Sequence, residues 1–239
     1  MPQQSSSFSS AHDVATEFDQ WAQSGRGDRM ADGHRYATEQ LLEGLAIASD
    51  SVVLDAGCGI GWVLNDLIGE HIASGVGIDL SAEMIDIASS RCTLPHLKFA
   101  VSNSAQTPFE ANRFSHIVSI ESSYYVPDPL ETLREWLRIT QPGGRLGLVI
   151  DLYQDNPASP YWVEALSLTA HNLSVSQWRS LLLSAGWTQV GDRQVPLPGQ
   201  IKPDAFIPSP YFPNYDIYRS YCDAGSLLLT AQKLAPPSE

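Results

Sequence analysis

The chain has 239 residues, 43% hydrophobic and 17% charged, which is the composition of a globular domain with one large core rather than of a disordered or fibrous chain. Its formal net charge of -13 repels phosphate backbones and anionic lipid surfaces, so neither nucleic acid nor a membrane is an expected partner. Cys58, Cys92 and Cys222 are too few and too scattered for a disulfide framework or a CxxC-type zinc site, so a reducing, cytoplasmic setting with no metal is expected.

In chain order, residues 1–10 are rich in Ser and Gln without a signal-peptide pattern and are expected to fray, as are residues 236–239. One domain is expected over 11–235. Its first part, 11–48, holds two helices, Ala11 to Ser24 and His34 to Ala48, joined by the polar, glycine-bearing link Gly25 to Arg29. From Ser51 short apolar runs alternate with helical segments: strand Val52 to Asp55, helix Trp62 to His71, strand Gly75 to Asp79, helix Ala82 to Arg91, strand Leu97 to Val101. The alternation continues with strand Phe114 to Ile120, helix Pro129 to Thr140, strand Arg145 to Asp151, helix Ser174 to Ala185 and a strand near Trp187 to Val195. Gln141 to Gly144 reads as a stop between helix and strand, and Ser226 to Lys233 as a closing strand. Such a repeat implies parallel strands with right-handed crossovers, an α/β fold. Two insertions interrupt it, 153–173 and 196–221, and the prolines of the second argue against a central strand or a long helix.

The most informative segment runs from the apolar strand at Val52 into Gly57-Cys58-Gly59-Ile60-Gly61 and then a helix. Alternate glycines remove the Cβ atoms that would hold a ligand off the backbone, and the helix start supplies free N–H donors. Eighteen residues beyond Gly61 the second strand ends at Asp79, where a carboxylate can accept both hydroxyls of an adenosine ribose. A nicotinamide fingerprint needs Gly or Ala in the sixth place from Gly57, and that place is Trp62. An oxidoreductase is therefore disfavoured, and the phosphate-free S-adenosylmethionine is the expected cofactor.

These residues resemble a known family. Val53 to Gly61 resembles the first motif of the class I, Rossmann-like S-adenosylmethionine-dependent methyltransferases that act on small molecules, and Gly77 to Ser81 with Met84 resembles the second. Ser102 to Phe109 followed by Phe114 to Ser119 is similar to the third and fourth, and Leu137 to Gly144 to the post-motif segment, covering 51–150 in the family's order. The resemblance implies a doubly wound, mostly parallel sheet with helices on both faces, a helical cap over 11–48 and an antiparallel last strand. It implies that Asp55 and the backbone around Gly57 and Gly59 hold the methionine part, Asp79 the ribose, and Asn103 with Ser104 the adenine. Cys58, Leu80 and Met84, with Trp21 and His34 of the cap, complete that expected site. Asn103 and Ser115 depart from the family pattern, since each stands where an Asp is common.

Glu121, Tyr124 and Tyr125 follow the fourth strand, at the carboxyl end of the sheet where ligands of open parallel sheets bind. Glu121 resembles the acidic residue at this place in sterol and tocopherol methyltransferases. These three, with His171, are the candidate catalytic residues, whereas His116 inside an apolar strand reads as a core residue. The aromatics of 206–221 suggest a cover on the substrate side. The function expected is methyl transfer to a small, apolar or aromatic acceptor through N, O or C. A non-catalytic adenosyl-binding or partner-binding module of the same fold is the alternative.

Overall fold

The structure, a computed structural model, describes residues 8–235. Helix α1 (Ala11–Gln23) opens on a reciprocal cap in which the Ser10 hydroxyl accepts the Asp13 N–H and the Asp13 carboxylate accepts the Ser10 N–H. Residues 8–10, expected to fray, are docked instead. The Phe8 ring stacks on His171 at 4.4 Å, and the Ser9 hydroxyl accepts the Thr169 N–H. The remainder of the two expected tails, 1–7 and 236–239, lies outside the described residues.

Gly25, at φ 66°, turns the chain directly into α2 (Arg26–Leu45), so the link expected up to Arg29 is helical from Arg26 onward. The glycine that suggested a break has a packing role. A Cβ on Gly27 would stand 2.7 Å from Ile60 Cγ2, and its absence lets α2 rest on the glycine-rich loop.

Then follow β1 (Val52–Ala56), β2 (Ser74–Asp79), α3 (Ala82–Arg91), β3 (Leu97–Val101), β4 (Phe114–Ile120) and α4 (Pro129–Ile139), close to the predicted positions. The helix expected over Trp62 to His71 is instead a π-helical stretch, Val63–Ile68, running into a 3-10 turn, Gly69–His71. β5 (Thr140–Ile150) begins before the expected Arg145. Phe114 pairs with Thr140, the register then shifts, and regular pairing starts at His116 with Arg145, so Gln141 to Gly144 form a bulged strand entry. After α5 (Ser159–Ala165), α6 (Val175–Ala185) and β6 (Thr188–Val195), the proline-rich segment yields a ten-residue helix, α7 (Tyr215–Ala224), which starts past its last proline with Asn214 as cap. β7 (Ser226–Gln232) closes the sheet.

The seven strands lie in the order β3-β2-β1-β4-β5-β7-β6, with β1 to β5 mutually parallel and β7 antiparallel to both its neighbours. Alternate residues serve two cores. Leu54, Ile117, Leu148 and Leu229 point to the face covered by α4 and α6, where Trp136, Trp178 and Trp187 are fully buried. Val53, Val118, Val149 and Leu228 point to the face covered by α2 and α3. The carboxyl ends of the central strands therefore present Asp55, Asp79, Glu121 and Asp151 along one rim.

Two glycines on one helix predict opposite outcomes. Gly27→Ala forces α2 off Ile60 and should cost about 1–3 kcal/mol as overpacking. Gly33→Ala meets nothing within 4 Å and should add about 0.5–1 kcal/mol through helix propensity and a less free unfolded chain. Thermal unfolding of the two variants reads both signs.

Candidate active site

The rim opens into a cavity beneath α1 and α2. At one end the loop after β1 is held open by backbone geometry. Gly57, Gly59 and Gly61 all have positive φ, and the N–H groups of Gly57 and Cys58 both donate to the Ile78 carbonyl at 2.8 and 2.9 Å. A Cβ on Gly59 would meet nothing within 4 Å, so the space above this turn is free for a ligand. Asp79 closes the turn from β2, its two oxygens accepting the N–H groups of Gly59 and Ser81, each at 2.9 Å. Burial raises the Asp79 carboxyl, and those backbone donors oppose the rise. The Ser81 hydroxyl, which caps α3, also donates to Asp19 of α1 at 2.5 Å, and Asp28 of α2 pairs with Arg91 at the far end of α3. The cap is thereby tied to α3 at both ends.

Asp55 is the anomaly of this end. It is 1% exposed and lines the cavity, yet neither oxygen has a donor among the described residues. Burial, with the Asp79 charge beside it, pushes its carboxyl up to about 8. Asn103 and Ser104 line the cavity on a loop fixed from behind, where the Trp136 indole N–H donates to the Ser104 carbonyl at 2.8 Å. The Asn103 side-chain Oδ1 accepts the Ala105 N–H within that loop. Ser115, the other departure from the family pattern, bridges to β1, accepting from the Val52 N–H and donating to its carbonyl.

The opposite end is a buried polar cluster. Glu121 is held at φ 55°, a left-handed conformation unusual for a residue with a side chain. Its Oε1 accepts the Asp151 N–H at 2.6 Å and its Oε2 the Tyr124 hydroxyl at 2.7 Å. His34 of α2 reaches in from above, Nδ1 donating to the Met30 carbonyl at 2.7 Å and Nε2 standing 3.2 Å from Asp151 Oδ2 and 3.8 Å from Glu121 Oε2. The Tyr221 hydroxyl of α7 donates to Asp151 Oδ2 at 2.5 Å. Burial alone would depress the His34 imidazole, but the charges of Glu121 and Asp151 outweigh it and raise it. Burial and the Asp151 charge raise the Glu121 carboxyl, while His34 keeps Asp151 low against the pull of its own burial.

All the residues expected around the cofactor line this cavity: Asp55, Gly57, Cys58 and Gly59 from the first loop, Asp79, Leu80 and Met84 from the second, Asn103 and Ser104, and Trp21 and His34 from the cap. Of the candidate catalytic residues, Glu121 and Tyr125 line it, and Tyr124 sits behind Glu121. His171 is elsewhere, stacked on Phe8 with Nε2 at 3.0 Å from the Val126 carbonyl. Among the described residues none of 196–221 lines the cavity. Their aromatics pack with Trp162 of α5 into a separate cluster that reaches the buried polar end of the site through Tyr221. The sequence reading missed Asp151, although the strand-end rule that singled out Glu121 applies equally to the residue after β5.

Residues 54–148 match the model of a family described as a methyltransferase domain. The chain is 33% identical over 101 residues to tocopherol O-methyltransferase of Arabidopsis thaliana, covering 41% of this chain and 29% of that protein. It is 30% identical over 132 residues to the methyltransferase GfsG of Streptomyces halstedii, covering 54% of this chain and 48% of that one, so it spans about half or less of these curated relatives. Among solved structures it superposes on the methyltransferase chain in the complex with the Haloferax volcanii Trm112 methyltransferase activator, with a TM-score of 0.84 and 29% identity over 91% of this chain and 98% of that one. With its motifs in order along β1 to β5 and its sheet closed by an antiparallel β7, the chain has the Rossmann-like fold of class I methyltransferases and carries a segment, residues 54–148, that matches their domain model.

Proposed function

We propose that the protein transfers a methyl group from S-adenosylmethionine to a small molecule with an apolar body. One observation carries this: a single cavity has a glycine loop with an unsatisfied carboxylate at one end and a polar cluster around Glu121 at the other. The donor set fits the cofactor. A buried carboxylate without a donor is completed by an ammonium group such as that of the methionine part, and Asp79, with one backbone donor on each oxygen, keeps lone pairs for ribose hydroxyls.

When bound, the cofactor supplies an already electrophilic methyl group on a sulfonium. The chain's own task is then alignment and exclusion of water. α1 and α2 cover the glycine loop, and Phe18 and Tyr125, in edge contact at 5.4 Å, line the cavity beneath them. Glu121, fixed by Tyr124 and the Asp151 N–H, is placed to orient the acceptor's polar atom. Val14, Phe18, Ile120 and Val126 in the lining support an apolar acceptor body, and the net charge of -13 supports a small molecule over nucleic acid. The three unpaired cysteines support a reducing, cytoplasmic setting. No helix of the described residues is long and apolar enough to cross a membrane.

Asp79→Ala should weaken S-adenosylmethionine or S-adenosylhomocysteine binding by about 1.5–3 kcal/mol, read by calorimetry, and unchanged affinity would move the ribose site elsewhere. Asp55 gives a pH signature. With its carboxyl at about 8 in the free protein, the acid must lose a proton to receive an ammonium group, so cofactor affinity should climb between pH 6 and pH 8. Over the same range the folded chain holds a proton that the unfolded chain has released, so the ligand-free protein loses stability as pH rises from about 4 to 8. Asp55→Asn should flatten the affinity dependence, lessen the stability dependence to which the raised Glu121 and His34 also contribute, raise the melting temperature of the free protein at pH 7.5 and abolish the cofactor-induced rise. Glu121→Gln keeps shape and removes the titrating carboxyl. It should retain cofactor affinity and lose about 10²-fold in turnover of the acceptor, and normal turnover would reduce Glu121 to a strand-end residue.

A further inference from the structure

The cluster at the acceptor end gathers one imidazole nitrogen and two carboxylates around a single buried spot, His34 and Asp151 within hydrogen-bond distance of each other. His34 Nε2 lies 3.8 Å from Glu121 Oε2, too far for a hydrogen bond, and 3.2 Å from Asp151 Oδ2, while one ligand-type atom from each residue lies within 4.8 Å of the others. Atoms bound about 2.1 Å from one ion stand about 3.0–3.4 Å apart at cis or tetrahedral angles and about 4.2 Å apart when opposite, so the 3.2 and 3.8 Å separations already fall in that range and any pair near 4.8 Å would draw in on an ion. We propose that His34, Glu121 and Asp151 form a site for a divalent transition-metal ion of the zinc class, with its remaining coordination position facing the cavity.

The groups behind these three side chains are those a metal site needs. His34 donates Nδ1–H to the Met30 carbonyl, which fixes the ring and leaves Nε2 as the ligand atom. Each carboxylate is steadied by protein donors, Glu121 by Tyr124 and the Asp151 N–H, Asp151 by Tyr221. Asp151 is 2% exposed, and its Oδ1 has no donor among the described residues, an unpartnered acceptor beside the cluster. His34 and Glu121 line the cavity and Asp151 does not, so an ion at their junction has protein on one side and an open position on the other, the arrangement of three-ligand zinc sites that bind a further molecule. One nitrogen and two oxygens suit zinc or its spectroscopic substitute cobalt better than magnesium. Only what the ion would face rests on the methyl-transfer reading, because the ion's binding is measured without cofactor or acceptor.

The test uses the full chain freed of metal with a chelator, titrated with Zn²⁺, Co²⁺ or Mg²⁺. Metal content after gel filtration, cobalt visible absorption and melting temperature are read. The expected result is about one zinc per chain, a zinc-dependent rise in melting temperature, no rise with magnesium and a cobalt band of a low-symmetry N/O site. His34→Gln and Asp151→Asn should each remove the band and weaken zinc binding about 100-fold, the scale on which disturbing a metal's ligand environment acts. Their circular dichroism reports folding, and should either variant unfold, wild-type stoichiometry and absorption still decide. Substoichiometric zinc in the wild type, or equal zinc binding and an unchanged band in folded variants, overturns the site. A parallel thermal shift with S-adenosylmethionine separates the two proposals. A chain that binds cofactor but no zinc sinks only the metal, and one that binds zinc but no cofactor sinks only the methyl-transfer reading.

Discussion

A carboxylate that leaves a central strand into the interior must find donors there, and Asp151 finds them on elements distant in sequence. His34 approaches from α2 and Tyr221 from α7, while the Asp151 N–H goes to Glu121 beyond β4. Removing one partner of a buried charge commonly costs about 3–5 kcal/mol, because the survivor stays buried and uncompensated. Cap, sheet rim and late helix are therefore held in one arrangement by a single carboxyl group. Glu121 is aimed at the cavity only because that arrangement exists, and the strain of its φ of 55° is sustained by the same contacts.

The two ends of the cavity treat their acids in opposite ways. At the acceptor end the carboxylates carry donors from side chains and backbone. At the glycine-loop end Asp55 carries none and sits near a second carboxylate. A fold selected for stability alone would not leave such a group in place. Its survival in the interior is understandable if a positive ligand supplies the missing partner, and the free protein bears the cost meanwhile.

Much of this was legible in the sequence because it is local. Strand, glycine turn and capped helix each depend on a few neighbouring residues, so β1, the loop at Gly57 to Gly61, Asp79 and α3 fall where they were expected. What escaped depends on distant contacts. Gly27 looked like a helix breaker because nothing near it in sequence reveals Ile60 above its backbone. The Gln141 to Gly144 stretch looked like a plain stop, yet pairing of Thr140 with Phe114 draws it into β5. The aromatics of 206–221 suggested a cover, but Trp162 supplies a closer apolar partner and gathers them away from the cavity. His171 was singled out by its place in an insertion, and its stacking on Phe8 shows how little residue type says about direction. Asp151 needed only the strand-end rule applied once more.

The ties between cap and α3 bear on how the cap is seated. Asp19 holds the N-terminus of α3 through Ser81, Asp28 holds its C-terminus through Arg91, and α2 lies on the glycine loop without a side chain between them at Gly27. A molecule lodged beneath that roof touches Phe18, Gly27 and Met30, residues of the helices that those ties hold down. The exposed Asp28–Arg91 pair is screened by salt and the Asp19–Ser81 contact is more sheltered, so the hinge should yield first at the Arg91 end. An ion pair remote from any reacting atom thus helps to seat the cap, and ionic strength acts on that seating rather than on the reacting groups.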